Sequence, residues 1–181
     1  MNESRAPSRV AVVQAGSALF DTPRTLNRMQ VLCERVATER PGLVVFPEAY
    51  VGGYPKGLDF GARLGTRSPA GRNDFLRYWE SAIAVPGPET QRLGEFAAAM
   101  GSALVVGVIE RDQATLYCSA LFFGPDGALV AKHRKLMPTA LERLVWGFGD
   151  GSTLPVVDTP VGKAAAAICW ENYMPSLRPT L

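Results

Sequence analysis

Short runs that are apolar at almost every position divide this chain, and they restrict it to a layered fold. The first two cover residues 10–15 and 43–46, and another covers residues 163–168. A strand with one face in water alternates apolar and polar residues, whereas a strand buried on both faces is apolar throughout. These runs therefore predict strands that lie between layers of other elements.

Helix signals separate these runs. Thr22-Pro23 offers an N-cap followed by proline at the first helical position, and predicts a helix to about Arg40. Two more helices are predicted, the first from Asn73 or Asp74 to about Val85 and the second over residues 89–100.

The region after the third helix is rich in strand signals. Residues 103–110, 116–123 and 128–134 are apolar, β-branched or aromatic, and a Gly-Pro-Asp-Gly turn precedes the last of them. Helices before and between buried strands, with a later meander, predict an α/β fold whose sheet is covered by helices on at least one face. Long irregular segments follow residues 48 and 135, and segments of this length inside a compact domain usually serve a function.

Composition limits the class of partner. The chain has 181 residues, of which 47% are hydrophobic, so it can bury the core of one domain. Its 19 basic and 17 acidic residues are spread along the sequence, so no nucleic acid or membrane surface is expected as a partner. The polar N-terminus and the lack of a long apolar run predict neither a signal peptide nor a membrane span.

The three cysteines are Cys33, Cys118 and Cys169, and no two of them form a CxxC pair. Their spacing disfavours both a disulfide framework and a zinc site, and it indicates the reducing cytoplasm. Cys169 stands where a predicted strand ends, at the edge where ligand crevices form in layered α/β proteins. A helix start after it would offer backbone N–H groups to a thiolate. Free cysteines are more often small buried hydrophobes, so other residues must decide its role.

A cysteine nucleophile needs a group that takes its proton and a group that stabilises the charge developing on the substrate. His133 is the only histidine, so a cysteine–histidine arrangement would rest on it alone. Alternation along the strand places His133 on the same face as Lys135, and a partly buried strand histidine is the simpler interpretation.

Glu48 directly follows an apolar strand and a proline, which makes it a candidate general base. A carboxylate that only accepts N–H bonds from its loop is the alternative. Lys135 could favour the thiolate and stabilise an anion, or it could be an exposed lysine at a strand end. Glu142 could orient Lys135 through a charge-assisted hydrogen bond, or it could be solvated.

Three segments, FPEAYVGGYPKG, KHRKLMPTALERLVWGFGDGS and ICWENYMP, together resemble the nitrilase branch of the carbon–nitrogen hydrolase superfamily. The resemblance extends from the first strand to about Pro175, and CWENYMP is its most specific part. It implies a four-layer αββα sandwich and a catalytic triad of Glu48, Lys135 and Cys169. It also implies that Glu142 is a supporting glutamate and that the enzyme needs neither a cofactor nor a metal.

The implied reaction is hydrolysis of a nitrile to a carboxylic acid and ammonia through a cysteine thioimidate and thioester. Amidase branches typically carry tyrosine and aspartate after the cysteine, whereas this chain has Trp170 and Glu171, as nitrilases do. Tyr54 and Trp170 are expected to contact the substrate. The alternatives are an amidase, a cyanide-processing enzyme or a nitrile hydratase-like activity of the same superfamily that releases amide, and a non-catalytic fragment that associates with full-length subunits.

Nitrilases continue well beyond the catalytic cysteine, whereas this sequence stops at Leu181. We therefore expect residues 8–181 to form only the N-terminal part of the sandwich, incomplete at the C-terminus, and residues 1–7 to form a disordered tail. The expected partner is a small-molecule nitrile, and neither a nucleic acid nor a membrane. A cytoplasmic homo-oligomer is expected for the full-length protein.

Overall fold

The structure, a computed structural model, describes residues 8–63 and 67–181, so the expected tail of residues 1–7 lies outside the described residues. A five-stranded mixed sheet forms its centre. The strands are β1 (Val10–Val12), β2 (Leu43–Val45), β3 (Ala103–Asp112), β4 (Thr115–Phe123) and β5 (Leu129–Arg134). They lie in the order β1-β2-β3-β4-β5. The first three are parallel, and β3, β4 and β5 form the predicted antiparallel meander.

Three α-helices accompany the sheet. They are α1 (Thr22–Ala37), α2 (Pro69–Ser81) and α3 (Pro88–Met100). Helix α1 starts one residue earlier than predicted, at Thr22, because the N-cap is Asp21, whose carboxylate accepts the Arg24 N–H at 2.9 Å. Helix α3 ends at Met100, and Gly101 directly after it adopts the left-handed conformation that glycine tolerates at this position.

The predicted bounds of α2 are wrong at both ends. The helix begins at Pro69, because the Ser68 side chain accepts the Gly71 N–H and proline already has a helical φ angle. It ends at Ser81, because the chain then leaves the helix to pair with β3. The N–H of Ile83 donates to the backbone oxygen of a β3 residue, Ile109, at 2.9 Å.

The two faces of the sheet carry separate apolar cores, since side chains alternate along each strand. Helices α1 and α3 cover one face. The core beneath them includes Leu26, Met29, Cys33, Val44, Leu93, Phe96, Leu104, Val106, Val108, Leu121 and Phe123. Helix α2 and the segments after β5 pack on the other face. The core there includes Ala49, Tyr78, Ala82, Ile109, Leu116, Cys118, Ala120, Phe122, Trp146 and Ile168.

A separate two-stranded sheet follows, formed by β6 (Val157–Thr159) and β7 (Gly162–Ala164). The prediction that one strand extends over residues 163–168 is wrong beyond Ala164. Residues 165–168 have no strand partner in the part of the chain that the structure describes, and they run as an extended connection to Cys169. The α/β class with helices against the sheet is confirmed. None of the described helices is both long enough and apolar enough to cross a membrane.

Candidate active site

A buried lysine lies between two glutamates at one end of the central sheet. The Lys135 Nζ is 2.7 Å from Glu48 Oε1 and 2.8 Å from Glu142 Oε2. Burial by itself lowers the pKa of Lys135, but the hydrogen bonds to Glu142 and Glu48 outweigh it, and the pKa rises above its usual value. The ammonium therefore stays charged, and three residues predicted from the sequence are in direct contact.

Backbone pairing with β3 holds Glu48 in place. The chain continues past β2 along β3, and the Val51 N–H donates to the Gly107 oxygen at 3.0 Å. Gly107 has no side chain, and a Cβ there would lie only 2.6 Å from the Glu48 Cα. A glycine inside an apolar strand often marks close approach of another backbone, so this signal was available in the sequence although the prediction did not use it.

Cys118 is a residue of the site that the sequence analysis did not assign. It is buried in β4, and its Sγ is 3.6 Å from Glu48 Oε1, the oxygen that also accepts from Lys135. Burial, and then the charge of Glu48, raise the pKa of Cys118 well above its usual value, so it remains a thiol. The register of β4 against β5 places Cys118 here, since its backbone oxygen accepts the Lys135 N–H at 2.8 Å.

Glu142 occupies a short 3₁₀ helix, Ala140–Leu144, within the long segment after β5. Its Oε2 accepts the Thr139 N–H at 2.6 Å, and its Oε1 accepts the Tyr54 hydroxyl at 2.7 Å. Burial by itself raises the pKa of Glu142, but hydrogen bonds from Lys135, Thr139 and Tyr54 outweigh it and lower the pKa. Tyr54 therefore lies beside the site, with its hydroxyl bound to this carboxylate.

Cys169 begins a 3₁₀ helix, Cys169–Tyr173, where the sequence predicts a helix start. It is exposed, and its φ of +54° lies in the left-handed region, which costs a residue other than glycine about 1 kcal/mol or more. Cys169, Glu48 and Cys118 line one cavity of about 630 Å³. Trp170 is 60% exposed and packs on Tyr173 with ring centroids 5.3 Å apart.

Glu171 has a structural position that the sequence analysis did not predict. The side chain is fully buried, and its Oε2 lies 2.9 Å from the Nε2 of His133. The other ring nitrogen of His133, Nδ1, lies 2.6 Å from the backbone oxygen of Thr153. His133 is also fully buried, and because both ring nitrogens already have partners, neither is available to accept a proton from Cys169.

Comparisons with known proteins identify the family of the chain. The family model of the carbon–nitrogen hydrolases matches residues 9–181. A bifunctional nitrilase/nitrile hydratase of Lupinus angustifolius is 54% identical over 178 residues, which cover 98% of this chain and 51% of that protein. Nitrilase 2 of Arabidopsis thaliana is 53% identical over 173 residues, which cover 96% of this chain and 51% of that protein. The chain thus spans about half the length of the curated relatives it matches.

Solved structures show the same fold. A Saccharomyces cerevisiae member of branch 10 of the nitrilase superfamily superposes with a TM-score of 0.70 at 27% identity, over 94% of this chain and 58% of that one. An amidase from Nesterenkonia sp. superposes with a TM-score of 0.71 at 18% identity, over 94% of this chain and 58% of that one, and supports the fold alone. Since the family model matches nearly the whole sequence, the chain belongs to the carbon–nitrogen hydrolase family.

Proposed function

We propose that this chain carries the catalytic residues of a nitrilase, which converts a nitrile and two waters to a carboxylic acid and ammonia. The observation that carries the proposal is the Lys135 ammonium held between Glu48 and Glu142, beside a cavity that Glu48 and Cys169 both line. The names of the relatives, which include nitrilases, support the same reaction.

The first half of the reaction forms a covalent thioimidate. Glu48 accepts the proton of the Cys169 thiol, the sulfur attacks the nitrile carbon, and the nitrogen takes up the proton. Among the described residues, none hydrogen-bonds the Oε2 of Glu48, whereas Oε1 accepts from Lys135 and Cys118. The free oxygen is therefore the one we assign to proton transfer.

The second half releases the two products. Water attacks the thioimidate carbon, ammonia leaves, and a thioester remains on Cys169. Glu48 then activates a second water, which attacks the thioester and releases the carboxylic acid and the free thiol. Lys135 stabilises the negative charge that develops in each step, because its raised pKa keeps it an ammonium, and it cannot itself serve as a base. Glu142 supports the lysine as its second carboxylate partner.

We assign Tyr54 and Trp170 to contacts with the substrate. Tyr54 is held beside the lysine by Glu142 and packs edge-on against Trp146 with ring centroids 5.7 Å apart. Trp170 directly follows the nucleophile and exposes most of its ring. Aromatic side chains at these two positions would favour substrates that carry an apolar group beside the nitrile.

The test is ammonia release from aliphatic, aromatic and arylacetonitrile substrates by the purified protein, with Cys169→Ala as the inactive control. Ammonia from the unsubstituted protein, absent in the control, supports the proposal. A folded protein that releases no ammonia from any nitrile contradicts it for this chain, and would favour a fragment that acts by associating with full-length subunits.

Release of an amide is the second candidate outcome, since several relatives are named bifunctional nitrilase/nitrile hydratase. The tetrahedral intermediate yields acid when it expels ammonia and yields amide when it expels the cysteine thiolate. We expect acid without appreciable amide, because Lys135 promotes expulsion of nitrogen as ammonia. Chromatography of the products measures the ratio, and amide as the dominant product would assign a hydratase.

We further propose that the full-length protein is a homo-oligomer of the cytoplasm that acts on a small molecule, and that it binds neither nucleic acid nor a membrane. The three free cysteines and the even distribution of charge support the location and the partner class. Light scattering of the full-length protein tests the assembly.

A further inference from the structure

One buried carboxylate connects the two chain segments that carry the lysine and the nucleophile. Glu171 Oε1 accepts the N–H of Leu136, the residue after Lys135, at 2.6 Å. Its Oε2 accepts the N–H of Ile168, the residue before Cys169, at 2.6 Å. Residues 136 and 168 are far apart in the sequence, so this carboxylate links two segments that no strand ladder joins in the described chain.

The hydrogen bonds of His133 determine its protonation state. The Thr153 backbone oxygen can only accept, so the Nδ1 that faces it at 2.6 Å must carry a proton. Nε2 faces Glu171 Oε2, which already accepts the Ile168 N–H, so Nε2 also faces an acceptor when Glu171 is ionised. Both ring nitrogens then carry protons, and the imidazole ring is positively charged.

We propose that Glu171 and His133 form a buried ion pair that acts as a positioning device, setting Cys169 against Lys135 and Glu48. Because one carboxylate holds the residues adjoining both the lysine and the cysteine, any rotation of Glu171 changes the separation of these two groups. The assignment of Cys169 and Lys135 to catalysis rests on the proposed function, whereas the ion pair itself does not.

The surroundings of the pair favour the charged forms. Glu171 and His133 are both fully buried, so bulk water cannot solvate either charge. Burial by itself lowers the pKa of His133, but its hydrogen bonds to Glu171 and Thr153 outweigh this and raise it. The opposite balance lowers the pKa of Glu171, because His133 and two backbone N–H groups outweigh the effect of burial. Removing either partner leaves a buried charge without compensation.

The left-handed conformation of Cys169 explains why such a device is needed. A residue other than glycine keeps a φ of +54° only when its surroundings hold it there. The Ile168 N–H bond to Glu171 holds the peptide between residues 167 and 168, and the Glu171 N–H donates at 3.0 Å to the Ile168 oxygen, which belongs to the peptide just before Cys169. This pair of bonds defines the turn that carries Cys169 at the wall of the cavity.

The charge of His133 is tested first, in the unsubstituted 181-residue protein. His133 is the only histidine, so protein labelled with ¹⁵N-histidine gives one pair of ring-nitrogen signals, in solution or, if the protein is sedimented, by magic-angle spinning. We expect both nitrogens to be protonated at neutral pH. A neutral ring with a single N–H would overturn the ion pair, and this result requires no enzymatic activity.

The positioning role is tested by alkylation of Cys169 with iodoacetamide, followed by mass spectrometry. We expect Glu171→Gln to convert His133 to a neutral ring and to slow alkylation of Cys169 by about tenfold, because the residues next to Lys135 and Cys169 lose the carboxylate that they share. The matched control is Glu110→Gln. Glu110 is also a buried carboxylate with three side-chain partners, namely Ser119, Lys132 and Arg134, and none of these described partners belongs to the segment of Cys169.

The control separates positioning from general stability. Glu110→Gln is expected to lower the melting temperature while leaving the His133 signals and the alkylation rate of Cys169 unchanged. Unchanged alkylation in folded Glu171→Gln would overturn the positioning role. If Glu171→Gln does not fold, Glu171→Asp replaces it, since the shorter carboxylate cannot reach both N–H groups at the same distances, and unchanged alkylation in that variant would equally overturn the positioning role. The nitrilase proposal can fail independently. In that case the protein shows the charged His133 ring and the slower alkylation of the Glu171→Gln variant, but it releases no ammonia from nitriles.

Discussion

The two faces of the central sheet differ in what they bury. Beneath α1 and α3 the core consists of aliphatic and aromatic side chains, together with Met29 and Cys33. On the opposite face, the buried residues include Lys135, Glu142, His133 and Glu171 beside an apolar cluster. The same strands supply both faces, because successive side chains of a strand point to opposite sides of the sheet. One side of each strand therefore packs in the apolar core, and the other side carries the residues of the candidate active site.

The energetic consequences of the two faces are opposite. Each fully buried Leu or Phe beneath the helices contributes about 1.5–3 kcal/mol relative to an exposed side chain. Each buried ion on the other face costs several kcal/mol of lost hydration, which only well-placed partners offset. The apolar core beneath α1 and α3 therefore contributes the folding free energy that offsets the cost of burying the charged residues on the opposite face.

The faces also differ in how completely they are covered at β1. Ala11 packs beneath the helices, whereas Val10 and Val12 on the other face are 48% and 71% exposed. The pairing of β1 with β2 places Val10 beside Leu43 and Val12 beside Val45, two residues that line the cavity. The site-bearing face therefore exposes an apolar edge in the described chain.

The largest expected effect is on enzymatic activity, and it differs between the cysteines of the two faces. Cys169→Ala should abolish turnover of nitriles, whereas Cys33→Ala should retain it and lower stability only slightly, because Cys33 lies in the helix-covered core. Burial, and then Glu34, raise the pKa of Cys33 to about 12, so it stays a protonated thiol at neutral pH. Iodoacetamide should accordingly label Cys169 first, and faster labelling of Cys33 would show that the nucleophile is wrongly assigned.

The next effect concerns the lysine. Lys135→Ala should lower kcat by at least about a hundredfold and destabilise the fold by about 3 kcal/mol, because two carboxylates lose their shared cation. Lys135→Arg should be nearly as damaging, since a planar guanidinium does not fit where a compact ammonium binds two carboxylates. Kinetics and chemical denaturation measure both quantities. If the arginine variant were nearly as active as the unsubstituted protein, a positive charge of either shape at position 135 would be enough for catalysis.

A substitution beneath the helices should produce the converse result. Leu93→Ala removes a fully buried side chain of α3 and should lower the free energy of unfolding by about 3 kcal/mol. The alkylation rate of Cys169 should stay the same under native conditions, since Leu93 belongs to the core on the other face. If the alkylation rate of Cys169 in folded Leu93→Ala changed together with the free energy of unfolding, the two faces would be energetically coupled.

Low pH should reduce the stability contributed by the buried carboxylates on the face that carries the site, and should not affect the apolar core beneath the helices. The pKa values of Glu142 and Glu171 lie below their ordinary value of 4.5, so both carboxylates contribute their full stabilisation above that pH and lose it as the pH falls through their folded-state values. The melting temperature should therefore drop below about pH 4.5. Glu142→Gln should flatten this dependence, whereas Leu93→Ala should lower the curve without changing its slope. Equal slopes in all three proteins would contradict the assignment.

The smallest effect concerns association through the exposed edge. Val12→Lys should reduce self-association of the 181-residue protein, because a charge on an exposed strand opposes edge-to-edge pairing. Val31→Lys is the control, since Val31 is 56% exposed but lies on α1. Size-exclusion chromatography at several concentrations compares the two. If both variants self-associate to the same degree, the exposed edge at β1 does not mediate the association.

The sequence predicted the elements of the fold well wherever the signals were local. Apolar runs located the five strands of the central sheet, and caps and breakers located α1 and α3 to within a few residues. The predicted bounds of α2 were wrong because its C-terminus depends on pairing with β3, which no local pattern encodes. The strand predicted through residue 168 ended early for the same reason, since a strand requires a partner.

The sequence by itself determined the residue types of the site, their order and the family, because these are properties of short motifs. Only the tertiary structure decided which of these groups touch. Glu48, Cys118 and Lys135 converge because β2, β3, β4 and β5 pair in a particular register, and Glu171 reaches Leu136 and His133 for a similar reason. Contacts between residues 35 to 87 positions apart depend on strand pairing and packing, and local sequence patterns do not specify which residues these bring together.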